Sequence, residues 1–144
     1  MTIEKQHITC ADIEFISDNI IQVHYKDEHY TELSDVIEMN NLIDDYANGR
    51  PIYTIVNNNH KFTTFSKEAQ RYLAKDAPIV KNKIMRCSAV IVDNLPSRII
   101  ARFFLNFYKP RFHMKIFSDY DKAMAWVQKL IVEEEEKSTA VNNS

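Results

Sequence analysis

Residues 51–57 read PIYTIVN, a short apolar run rich in β-branched side chains. A run with so little polar alternation suits a strand covered on both faces, the usual state of a strand in a parallel sheet. Just upstream, Val36, Met39, Ile43, Tyr46 and Ala47 recur at helical spacing between Thr31 and Asn48. Thr31 or Ser34 is placed to cap that helix, and Gly49 to end it in the left-handed conformation. Further upstream, DIEFI (12–16) and IIQVHY (20–25) alternate apolar and polar around the turn SDN and predict a β-hairpin.

Downstream the pattern repeats. A helix opens after Ser66 with Ala69, Tyr72, Leu73 and Ile79 on its apolar side, and CSAVIVD (87–93) is a second covered strand. LPSRIIARFFLNFYKP (95–110) has Pro96 in its first turn, apolar Ile99, Ile100, Phe103, Phe104 and Phe107, and Pro110 as its stop. HMKIF (113–117) is a fifth strand, and the last helix starts at Ser118 as N-cap, with Asp119 and Asp121 in its positive first turn. The predicted order is β-β-α-β-α-β-α-β-α, an α/β fold with a mixed five-stranded sheet and four main helices. No linker or repeat divides it. A single domain over residues 1–132 is expected, with 133–144 an acidic helix extension and disordered tail.

Composition narrows the function. Of 144 residues only Gly49 is glycine, which excludes glycine-rich phosphate loops and dinucleotide fingerprints. No apolar run approaches the roughly 18 residues of a spanning helix, so integral membrane association is not expected. Cys10 and Cys87 lack CxxC spacing and read as reduced, buried thiols of a cytoplasmic protein. Net charge is −2 but unevenly spread: residues 61–115 hold twelve Lys/Arg against Glu68, Asp76 and Asp93, and EEEE (133–136) closes an acidic end. With a pI near 6.2, nucleic-acid binding is not expected. The split instead suits pairing within the fold or with a second copy, or the steering of an anionic partner.

One segment carries a family resemblance. ARFFLNFYKPRFHMKIFSDYDKAMAWVQKL (101–130) joins an aromatic-rich helix, a proline, a strand ending in Phe117-Ser118 and a helix with Ala123, Ala125 and Trp126. With the element order, it resembles the STAS domain, the fold of anti-sigma-factor antagonists, and looks most similar to STAS/SEC14-like bacterial proteins of unassigned function. The similarity covers about residues 10–131. It implies a non-catalytic regulatory or protein-interaction module. The alternative it implies is a binder of a small apolar or anionic, lipid-like ligand, held between the helices after the third and fourth strands. In STAS antagonists the loop after the third strand resembles DSSG, and its second serine accepts phosphate from a partner kinase. KFTTFSKEA (61–69) lays Ser66 on that serine, Thr64 on the aspartate and Lys67 on the glycine. From the residues alone, Ser66 or Thr64 is a helix cap.

The remaining candidates are weighed by spacing. His7, His24, His29, His60 and His113 show no HxxxH or HExxH pattern, and Cys87 opens a strand pattern. No catalytic group, metal or cofactor is expected. Arg98 and Arg102 share a helix face. With Lys67, Tyr72, Phe103 and Phe107 they form the expected ligand or partner surface, and Tyr72, Phe103 and Phe107 are the side chains expected to line a cavity. The expected partner is an unknown protein or a second copy.

Overall fold

A computed structural model describes residues 4–142. PIYTIVN becomes β5 (Ile52–Asn57) and CSAVIVD falls in β7 (Met85–Ile91). They lie side by side inside one sheet, in the order β1 (Glu4–His7), β2 (Ala11–Phe15), β3 (Ile20–Tyr25), β5, β7 and β8 (His113–Phe117). The hairpin β2 (Ala11–Phe15) and β3 (Ile20–Tyr25) is antiparallel, whereas β3, β5, β7 and β8 (His113–Phe117) run parallel.

The sheet has six strands, not the expected five. The extra strand, β1 (Glu4–His7), is exposed at every position and pairs antiparallel with β2 at the sheet edge. It is held by backbone bonds and by cross-strand pairs: Lys5 opposite Glu14 at 3.6 Å and His7 opposite Asp12 at 2.6 Å. With no apolar side chain to bury, it has no burial pattern to read. A small parallel pair, β4 (Tyr30–Thr31) with β6 (Thr64–Phe65), is also additional.

Alternation along the central strands divides the core in two. Tyr53, Ile55, Cys87, Ala89 and Ile91 point to one face, where Ala123 and Val127 of α5 (Tyr120–Asn142) cover them. On the other face Ile13, Ile21 and Val23 pack with Met39 and Ile43 of α1 (Leu33–Ala47) and Ile79 of α3 (Pro78–Lys81). There too Val90 and Val92 meet Ala101 of α4 (Leu95–Phe103). The helix after Ser66 is short: α2 (Lys67–Arg71) passes into a π turn over Tyr72–Asp76 and then α3. Helix α4 likewise ends in a π turn, Phe104–Tyr108.

Three helix ends differ from expectation. Thr31 is committed to β4 and Ser34 lies inside α1, so Glu32 is the N-cap, its backbone N–H donating to Asp35 Oδ2 at 2.9 Å. Asn48 at φ 47 takes the left-handed position with Gly49 (φ 83) behind it; asparagine tolerates that region through local hydrogen bonding. Asp119, not Ser118, caps α5, its Oδ1 accepting from the N–H groups of Asp121 at 2.7 Å and Lys122 at 3.2 Å.

After residue 132 the chain stays helical through the stretch read as an acidic helix extension and into the stretch read as a tail. Helix α5 continues to Asn142, and residues 143–144 lie outside the described residues. The Tyr53 hydroxyl donates to Glu134, and the Arg86 guanidinium lies 3.9 Å from the same carboxylate, so the acidic stretch is tied to the sheet.

Candidate functional site

Two features meet on α4, one facing inward and one outward. Inward, α2 with its π turn and α4 with its own stand apart over β5, β7 and β8. They leave a cavity of about 110 Å³ between them. Its floor is Val56, Ser88, Val90 and Met114, and its two walls are Gln70 and Leu73 on one side and Ser97, Ile100, Ala101 and Phe104 on the other. Tyr25 and Phe65, edge to face at 5.0 Å, close one part of it. A backbone bond from Arg111 N–H to the Ala74 carbonyl (3.0 Å) bridges the two walls. The loop 58–63 is fastened to α4, because the Ser97 hydroxyl and the Asn94 amide both donate to the Lys61 carbonyl.

Outward, α4 carries an apolar stripe in place of the polar face a surface helix normally shows. Leu95, Ile99, Phe103 and Phe107 are spaced four apart and are 67, 58, 51 and 64% exposed. Phe103 and Phe107 stack at 5.0 Å with planes 11° apart, and Tyr108 stands edge-on to both. Arg98, half-buried, and Arg102, exposed, run beside the stripe, with exposed Lys109 and Arg111 beyond its end. Large apolar side chains exposed in a row are uncommon on the surface of a monomer.

Residues 14–131 match the family model of a domain of unknown function, DUF7793. The chain belongs to the DUF7793 family. No curated protein matches it. Among solved structures it is similar to an uncharacterised protein of the DUF3478 family from Shewanella loihica PV-4, described as having a SpoIIAA-like fold. The two chains are 14% identical over 88% of this chain and 92% of that one, with a TM-score of 0.55. At that identity the likeness concerns the fold alone, and it supports the STAS-like architecture. The DUF7793 match leaves out β1 and ends before Glu134, the anchor of the acidic helix end.

The residues singled out in the sequence do not form one site in this DUF7793 domain. Phe103 and Phe107 do not line the cavity: at 100° per residue, Ile100, Ala101 and Phe104 take the inward side and leave those two outside. Tyr72 turns into the core beneath α1, where burial lifts its phenol above the ordinary value, and Leu73 reaches the cavity in its place. No charged side chain lines the cavity among the described residues, so Lys67, Arg98 and Arg102 are not ligands within it and an anionic ligand has no counter-charge there. Lys67 is exposed on the first turn of α2.

Ser66 is the N-cap of α2: its Oγ accepts from Ala69 N–H at 3.0 Å, and its own N–H donates to the Thr31 carbonyl at 3.0 Å. Thr64 sits in β6 and does not cap. Ser66→Ala is expected to lower unfolding stability by about 1 kcal/mol, with Ser66→Asp close to wild type, because an aspartate caps equally well and suits the helix N-terminus. Denaturant titration of the three proteins measures this.

Four histidines are each engaged by a carboxylate: His7 by Asp12 and His60 by Asp93, at exposed positions, and His24 by Glu14 and His29 by Asp35. The hydrogen bond from the His60 backbone holds Asp93 below the usual carboxylate range, and that from His7 does the same for Asp12. Cys10 touches the Asp35 carbonyl but is fully buried, and burial followed by the Asp35 charge pushes its pKa up to about 12. Burial likewise pushes Cys87 up to about 12. Both are protonated thiols at neutral pH, poor nucleophiles and poor metal ligands.

Proposed function

We propose that this DUF7793 domain is a non-catalytic protein-docking module of STAS type that binds its partner through the outward face of α4. The observation that carries the reading is the stripe Leu95, Ile99, Phe103 and Phe107. Exposing four large apolar groups in one row serves no purpose in the fold, since none of them belongs to the core clusters or packs against them. A stacked aromatic pair is a rigid anchor of low conformational entropy, the kind of group that dominates interface energetics. The arginines beside it favour a partner whose apolar surface is ringed by carboxylates. The protonated, buried thiols support the non-catalytic part, and free buried thiols suit a reducing cytoplasm. The Ser66 hydroxyl serves as a cap, and the proposal gives it no switching role.

The test compares proteins retained by immobilised wild-type chain and by Phe103→Ser/Phe107→Ser, with denaturant unfolding and sedimentation of both. The double variant should keep its stability to within about 0.5 kcal/mol, as for exposed sites generally. It should lose at least tenfold in affinity for the partner, or for a second copy if sedimentation shows self-association. Unchanged retention and unchanged sedimentation by a folded double variant would rule the docking face out.

A further inference from the structure

The cavity beneath α4 belongs to the opposite face of the helix from the stripe and is not used by docking. We infer that it is a binding site for a small neutral molecule with a single-ring apolar body and one hydrogen-bonding group. Size comes first. At about 110 Å³ the space is well below the roughly 300–1,000 Å³ of drug-sized sites, yet near the roughly 150 Å³ of an apolar cavity known to take benzene. It has room for one ring.

The lining then sets polarity. Most of it is aliphatic or aromatic, and a charged ligand would leave a buried charge without a counter-ion, at a cost of several kcal/mol. Yet the cavity is not purely apolar, as a simple packing defect would be. Ser88 is a hydroxyl set within CSAVIV, 6% exposed, beside Val90 of the same strand and Val92 just past its end. Asn58 places an amide at the wall whose Oδ1 is buried with no partner among the described residues. The hydroxyls of Thr63 and Ser97 already donate to the carbonyls of Lys26 and Lys61. What they leave free toward the cavity is acceptor capacity, which calls for a ligand O–H or N–H. Each wall also has one cavity residue outside α-helical geometry, Leu73 and Phe104, each within a π turn. Such turns are rare and concentrate at functional sites.

Phenol is the probe, with benzene and benzoate as controls on the same full chain. In amide spectra, phenol should produce saturable shifts centred on Ser88, Val90, Ala101 and Phe104. Its affinity should exceed that of benzene at least fivefold, and benzoate should give no saturable shift. Ala101→Leu fills the space from the α4 wall, and Val90→Ile adds one methyl from the floor. At least one of the two should fold and bind phenol tenfold more weakly than wild type. No saturable phenol shift would overturn the inference, and so would benzoate binding as well as phenol or unweakened binding in the folded filled variants.

Discussion

Ile91→Ala is expected to lower the unfolding free energy by about 3–5 kcal/mol, a large share of the roughly 5–15 kcal/mol that holds a typical domain together. Ile91 is fully buried in β7, between β5 and β8, facing α5. Its neighbours on that face include Ala89, Ala123 and Val127, which are too short to swing into the space left by the lost side chain. The cavity therefore stays open, and its penalty adds to the lost transfer energy. Leu95→Ala removes a comparable mass of apolar side chain from the exposed stripe and should change stability by less than about 0.5 kcal/mol. Denaturant midpoints of the two variants separate apolar groups that hold the fold from those displayed by it. A loss at Leu95 equal to that at Ile91 would mean the stripe is packed.

Asn40→Leu is expected to raise stability by about 1–3 kcal/mol. Asn40 is 2% exposed on the buried side of α1, in line with Val36, Met39 and Ile43. Both its amide atoms lack a hydrogen-bond partner among the described residues. An amide taken out of water without compensation carries its full desolvation penalty. Leucine keeps the branching at the same carbon, removes that penalty and favours the helix. For a chain of this size each kcal/mol is worth about 2–4 °C, so the melting temperature should rise by several degrees. A lower melting temperature would show that the amide is satisfied in solution, or that the site cannot hold two methyl groups.

What the sequence revealed followed from burial. PIYTIVN and CSAVIVD announced themselves as covered strands because both faces are buried, and α1 and α4 followed from apolar spacing. Glu4–His7 could not be found that way, since an edge strand with four exposed side chains is made by its backbone partner. The caps were off by one or two residues because Thr31 and Ser118 compete with Glu32 and Asp119, and chain geometry outside the helix decides the contest. At the site, periodicity placed Phe103 and Phe107 on α4 but not their direction. Ile100 and Phe104 occupy an apolar stripe of the same spacing, and only docking on the sheet shows which stripe points inward. The π turn at Tyr72 moved Leu73 to the cavity, and no residue-type preference marks such a turn.

The most direct test of the docking face places a photo-crosslinking benzoylphenylalanine at position 107 and, in a separate chain, at position 132. Val132 is also an exposed apolar residue, but it lies on α5, which covers the opposite face of the sheet from α4. Irradiated in the cells that make the protein, position 107 should give one discrete crosslinked product, either to another protein or to a second copy. That product should weaken at least tenfold when Phe103→Ser is added. Position 132 should give none. Equal products from both positions, or no product from position 107, would contradict a partner seated on α4.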